Sequence, residues 1–133
     1  MTSLPLQKLQ DLFSSREDVA AVYLFGSVAE GAETEASDVD LGIVQKCPSK
    51  PLDKLSLLTD LVRIGMEDVD LVCLDDADPV VVFEAVRHNC LIYRDQTFDH
   101  GSFFSRVIRH YFDLRRVLRH QRAARRQKVE VGG

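Results

Sequence analysis

The hydrophobic residues of this 133-residue chain follow two periodicities. Runs with apolar residues three or four apart predict amphipathic helices, and short apolar or alternating runs predict strands. Helices are predicted over about 4–15 and 52–64, from Pro79 onward, and from Phe103 to near Lys128. Strands are predicted at 19–25, 37–44, 67–74 and 90–95. Because helices and strands alternate with short connections, the predicted fold class is α/β, a small sheet packed by helices.

Two acidic residues interrupt the second predicted strand, where Asp38 and Asp40 alternate with Val39 and Leu41. Side chains two residues apart share one face of a strand, so the carboxylates project together, about 7 Å apart. Like charges this close repel unless a cation lies between them, and Mg²⁺ is a cation that carboxylates bind well. Gly42 continues the same face, and its missing side chain allows something to approach the backbone.

A third carboxylate is predicted in the stretch EDVDLVCL, residues 67–74. Asp70 is the acidic residue with strand-like apolar neighbours on both sides. The remaining acidic residues lie at the ends of the strand or beyond it, where a hydrated carboxylate needs no special explanation. Three carboxylates on adjacent strands could hold two Mg²⁺ ions about 3.5–4 Å apart, the arrangement used for phosphoryl or nucleotidyl transfer.

The dipeptide Gly26-Ser27 ends the first strand and opens a segment that we expect to be helical. Free backbone N–H groups at a helix N-terminus attract anions. Glycine lets a phosphate approach closely, and the serine hydroxyl is a further donor. Gly26 and Ser27 are therefore the predicted phosphate-binding residues.

Together these residues form the stretch GSVAEGAETEASDVDL, residues 26–41. It resembles the GS-x10-DxD signature of the DNA polymerase beta-type nucleotidyltransferase superfamily. The size of the chain and its order of helices resemble the minimal nucleotidyltransferases, which are MntA-type antitoxins paired with HEPN-domain toxins. The resemblance implies a polymerase beta-type fold with a small mixed sheet and a long C-terminal helix. It also implies one domain over 1–133, with a core at about 19–95 and a basic helix at about 99–128.

The resemblance further implies an activity. The chain would be the antitoxin of a type VII-like pair that transfers AMP from ATP to a tyrosine hydroxyl of a partner HEPN RNase toxin, in a hetero-oligomer that requires no nucleic acid. Asp38, Asp40 and Asp70 would be the catalytic residues and would bind two Mg²⁺ ions, while Gly26 and Ser27 would hold the nucleotide phosphates. Two alternatives stay open: an antitoxin that neutralises by contact alone, and a small-molecule nucleotidyltransferase of the aminoglycoside type.

Charge is divided unevenly along the chain. Residues 1–98 carry 8 Lys and Arg against 18 Asp and Glu, whereas residues 99–133 carry 9 against 3. An acidic body followed by a basic segment suggests an acidic or polyanionic partner for that segment. The arginines could contact an acidic toxin face, the ATP phosphates or RNA, or form a solvated helix face.

The sequence also predicts what the protein lacks. The N-terminus has no basic region followed by an apolar one, and no apolar run approaches the roughly 20 residues that cross a bilayer. We therefore expect a cytoplasmic protein with no membrane partner. The cysteines, Cys47, Cys73 and Cys90, are widely spaced and predict neither a zinc site nor a disulfide framework.

Overall fold

Helices and strands alternate along the chain as the periodicity predicts. The structure, a computed structural model, describes residues 5–25, 39–47, 51–88 and 90–132, without the side chains of 125–132. In these ranges the elements are α1 (Leu6–Ser14), β1 (Val19–Phe25), β2 (Val39–Gln45), α2 (Lys54–Arg63), β3 (Val69–Cys73), α3 (Pro79–Val86), β4 (Leu91–Arg94) and α4 (His100–Gly132). The α/β fold class is confirmed.

The four strands form one mixed sheet in the order β3-β2-β1-β4. Strand β2 runs parallel to β3 and antiparallel to β1, and β1 runs antiparallel to β4. At one end of the sheet, which we call the carboxylate end, β1 stops and both β2 and β3 begin. At the other end, which we call the ion-pair end, β1 begins and the other three strands stop. The topology therefore brings residues near positions 25, 40 and 70 together.

The main core lies on one face of the sheet. Helices α1 and α2 cover this face with the buried residues Leu9, Phe13, Leu57 and Leu61. The strand residues in the same cluster are Val19, Val22, Leu24, Leu41, Ile43, Leu71 and Ile92. Alternation leaves Asp40, Gly42 and Asp70 on the opposite face.

Two helices begin at aspartate caps. Asp78 accepts a hydrogen bond from the backbone N–H of Val80 at 2.9 Å, and Pro79 follows it as the first helical residue of α3. Asp53 caps α2 in the same way, accepting from Ser56 N–H at 3.1 Å. Both caps satisfy backbone N–H groups that the first turn of a helix leaves without partners.

Helix α4 runs from His100 to Gly132. The expected end near Lys128 is wrong, because Val129 and Val131 disfavour a helix only weakly and the first strong breaker is Gly132. The chain divides into two compact units, residues 1–99 and 100–133, and α4 makes up the second. No helix in the described ranges has both the length and the apolar character that spanning a bilayer requires.

Candidate active site

The register of the sheet brings two of the predicted carboxylates side by side. Asp40 on β2 and Asp70 on β3 are direct Cα partners in the parallel pairing, and Phe25 at the end of β1 is the Cα partner of Asp40 on its other side. Neighbouring strands lie about 4.8 Å apart, so the two aspartates start from adjacent backbone positions. Asp40 and Asp70 are neighbours because β2 lies beside β3 and because the register of this strand pair aligns the two residues.

Asp40 and Asp70 face away from the main core. Their neighbours Leu41 and Leu71 are buried in it, at 0% and 2% exposure, and successive side chains point to opposite faces. Asp40 is half-buried and Asp70 is exposed. Both aspartates therefore lie on the same face of the sheet, at the carboxylate end.

The remaining predicted site residues, Gly26, Ser27 and Asp38, lie outside the described residues. Within the described ranges, no group of three or more His, Cys, Asp or Glu side chains could hold a metal ion. The predicted three-aspartate site includes Asp38, and the structure describes its other two members, Asp40 and Asp70.

The donor atoms of this pair suit a hard divalent cation. Two carboxylates on one face supply oxygen ligands and no nitrogen or sulfur, which is the chemistry of Mg²⁺ sites that keep several waters and bind substrate phosphates. The residue types present are compatible with Mg²⁺, to which Asp40 and Asp70 could supply carboxylate oxygens.

Other acidic residues near the end of β3 have structural partners instead. Asp75 accepts a hydrogen bond from the backbone N–H of Gln45 at 2.7 Å, at the ion-pair end of the sheet. Asp78 caps α3. These bonds use the Asp75 and Asp78 carboxylates within the fold, so Asp70 differs from them in both position and contacts.

Gly42 makes room for a protein side chain rather than for a ligand. A Cβ atom added at Gly42 would lie 3.0 Å from Cδ1, 3.1 Å from Cδ2 and 3.2 Å from Cγ of Leu74. Leu74 is buried, at 5% exposure. The expectation that Gly42 opens the backbone to approach is therefore correct, but the approaching group is Leu74.

Sequence reasoning missed a cluster of ion pairs at the ion-pair end. Arg16 binds both Asp18 and Asp60, each at 2.9 Å, and its side chain is 12% exposed. Burial raises the pKa of Asp18, but the hydrogen bonds and charge of Arg16 outweigh it, so this pKa lies below its ordinary value. Asp18 also accepts from Asp53 N–H at 3.4 Å. No local pattern connects positions 44 residues apart, so the sequence gives no signal for this contact.

A second ion pair lies at the same end, where Lys46 Nζ approaches Asp95 Oδ2 to 2.8 Å. The hydrogen bond from Lys46 is the main reason that the pKa of Asp95 lies below its ordinary value. Backbone bonds join the same segments, since Lys46 N–H donates to Asp18 O and Asp95 N–H donates to Ala20 O. Acidic residues at this end are thus held by basic residues of the chain itself.

Comparison with known proteins identifies the fold. The family model for "Polymerase beta, Nucleotidyltransferase" matches residues 7–98, which is more than half of the chain. A protein of Methanocaldococcus jannaschii, provisionally named protein adenylyltransferase MJ1305, is 40% identical over 58 residues. That match covers 43% of this chain and 38% of the relative, so the chain matches well under half of the length of this relative.

Solved structures with this fold come from toxin–antitoxin complexes. A crystal structure of a toxin–antitoxin with AMP-PNP aligns with a TM-score of 0.67 at 25% identity, over 96% of this chain and 99% of the other. A variant of the toxin–antitoxin MntA–HepT with two aspartates changed to glutamate aligns with a TM-score of 0.68 at 23% identity, over 96% and 99%. A tri-AMPylated Shewanella oneidensis HEPN toxin in complex with MNT antitoxin gives 0.60 at 23%, over 94% and 95%. These alignments extend well beyond residue 98, where the family match ends, and so include most of α4.

Proposed function

The chain belongs to the polymerase beta nucleotidyltransferase family, and from this premise we propose that it is an antitoxin that transfers AMP from ATP to a HEPN-domain toxin. The observation that carries the proposal is the pairing of Asp40 with Asp70 across parallel strands, on the face away from the main core. The structural neighbours support the choice of substrate and partner. One is a complex with AMP-PNP, an ATP analogue, and another contains an AMPylated HEPN toxin with its MNT antitoxin.

In this proposal Asp38, Asp40 and Asp70 hold Mg²⁺, and Gly26 and Ser27 hold the phosphates of ATP. The altered aspartates of the MntA–HepT variant are separated by one residue, which is the spacing of Asp38 and Asp40 here. When bound, Mg²⁺ would neutralise charge on the phosphates and on the leaving pyrophosphate. The acceptor, a tyrosine hydroxyl of the toxin, forms a bond to the α-phosphorus as the bond to pyrophosphate breaks, and the hydroxyl proton passes to water.

The test first asks whether a gene next to that of this chain encodes a HEPN-domain protein. It then measures transfer of label to that protein from ATP labelled at the α-phosphate, with Mg²⁺ present. We expect labelled toxin with the wild-type chain and none after addition of EDTA. Asp40→Asn should abolish transfer, whereas the matched control Asp76→Asn, in the exposed loop after β3, should retain it. An unlabelled toxin with the wild-type chain, or full activity in Asp40→Asn, would contradict the proposal.

An antitoxin that acts by contact alone is the second candidate, and the exposed apolar and basic surface of α4 favours it. The same variant separates the two functions. If Asp40→Asn still suppresses the RNase activity of the toxin while no AMP is transferred, contact is sufficient. If the RNase activity returns although the complex persists, suppression requires AMP transfer.

A further inference from the structure

Residues 112–124 of α4 are largely exposed although they include large apolar residues. Among the described side chains from Phe112 to Ala124, Leu114 alone is only partly exposed. Phe112 is 52% exposed, Val117 51% and Leu118 37%. Most of the stability of helices in proteins comes from packing of an apolar face. An exposed helix with this composition therefore presents a surface that another molecule could cover.

Three apolar residues and three arginines form adjacent rows along this part of the helix, while Phe112 and Val117 lie elsewhere around it. Tyr111, Leu114 and Leu118, spaced three and four apart, form what we call the apolar stripe. Arg115, Arg119 and Arg122, spaced four and three apart, lie beside it and form the arginine flank. Residues 100–124 contain six arginines and one acidic residue, Asp113, which lies 3.9 Å from Arg116. The arginine flank thus has no acidic partner within residues 100–124 of the helix.

Resting on the proposed function, we infer that the apolar stripe and the arginine flank bind the HEPN-domain partner, through a helix with an apolar stripe flanked by Asp or Glu. An apolar centre bordered by arginines is typical of protein interfaces, where arginine is enriched and opposite charges set the register. Contact with RNA phosphates would use the arginines but would leave the apolar stripe in water. Pairing of α4 with a second α4 would place arginine flanks against each other, which like-charge repulsion opposes.

This surface lies outside residues 7–98, which the family model matches. Binding of the HEPN-domain partner and transfer of AMP then depend on different parts of the chain. The α4 surface determines how tightly the toxin is held, and the aspartates determine whether AMP is transferred. Variants of the two regions should therefore change different kinetic parameters.

The experiment measures binding of the HEPN-domain partner to the full chain without ATP, by calorimetry, and AMP transfer separately. We expect Arg115→Glu/Arg119→Glu and Leu118→Ser each to weaken binding by about tenfold or more. The matched control Lys8→Glu/Lys54→Glu makes the same charge change at exposed positions in the first turns of α1 and α2, and should bind like wild type. In the α4 variants the kcat for AMP transfer, reached at saturating partner, should stay unchanged, and the KM for the partner should rise. Asp40→Asn should instead lose kcat while its affinity for the partner stays unchanged.

A second readout does not depend on substitution. Binding of the partner should slow amide deuterium exchange across residues 112–124, since a covered helix frays less. Unchanged affinity in the α4 variants, no binding by the wild-type chain, or unchanged exchange would overturn the inference. The inference would also be overturned if these variants lost RNA binding or self-association but kept their affinity for the HEPN-domain partner. Binding that depends on α4 without any AMP transfer would uphold the inference while the proposed catalysis fails.

Discussion

The two ends of the sheet treat acidic residues in opposite ways. At the ion-pair end, Asp18, Asp60 and Asp95 are each bound by Arg16 or Lys46 at 2.8–2.9 Å. At the carboxylate end, two aspartates are placed next to each other on adjacent strands. The first arrangement stabilises the fold with charges that the chain supplies. The second places two carboxylates on adjacent strands, on one face of the sheet, and our proposal assigns this pair to the chemistry of the protein.

The largest expected effect follows from exchanging aspartate for asparagine at Asp70 and at Asp75. Asp70→Asn should reduce AMP transfer by roughly 10³-fold, because a charged ligand near the reacting phosphates is lost. Asp75→Asn should retain transfer, since Asp75 accepts from Gln45 N–H and from the Cys73 thiol at the opposite end. Rates of label transfer to the toxin measure the contrast. If the two variants lost AMP transfer to the same extent, the aspartates at the two ends of the sheet would not differ in function.

The ion-pair end should show the reverse behaviour. Arg16→Ala leaves Asp18 and Asp60 without their guanidinium partner and should lower the free energy of unfolding by about 2–3 kcal/mol. Urea denaturation of the variant and the wild type measures this change. The rate of AMP transfer per folded molecule should stay at the wild-type level at a temperature where both are folded. A loss of transfer greater than the loss of folded protein would show that the two ends are coupled.

The close approach of Gly42 and Leu74 gives a smaller effect. Gly42→Ala should destabilise by about 1 kcal/mol, because the new methyl group forces the buried Leu74 side chain to move. In a Leu74→Ala background the same substitution should cost less, since the obstructing atoms are gone. Thermal denaturation of the four proteins of this double-mutant cycle measures the difference. Additive effects would show that Leu74 does not limit the space at Gly42.

The smallest effect concerns pH. Because the pKa of Asp18 in the folded state lies below its ordinary value of 3.8, its bond to Arg16 stabilises the fold above that pH and is lost as the pH falls through the folded value. The stability difference between wild type and Arg16→Ala should therefore be constant near neutral pH and shrink below about pH 4. Urea midpoints measured between pH 3 and 7 test this; a difference that grows in acid would contradict the assignment.

The periodicity of apolar residues was sufficient to predict the helices and strands of the described ranges. Alternation, as at 37–44, and helical spacing, as at 52–64, each indicate which side of an element faces the core. Periodicity could place Asp40 and Asp70 on strands but could not make them neighbours, because strand order and register depend on pairing between distant segments. Arg16 was missed for the same reason, since its partner Asp60 lies on α2, 44 residues away. The end of α4 was misjudged because no strong breaker precedes Gly132.

The most direct test of the central claim is a titration with Mn²⁺, a paramagnetic substitute for Mg²⁺, in the presence of a non-hydrolysable ATP analogue and followed by electron paramagnetic resonance. The aspartates at the carboxylate end are expected to bind the ion, so the wild-type chain and Asp75→Asn should bind Mn²⁺ equally well. Asp40→Asn and Asp70→Asn should bind it much more weakly. If all four proteins bound the ion with the same affinity, the carboxylate end would not be a metal site, and the account given for it would be wrong.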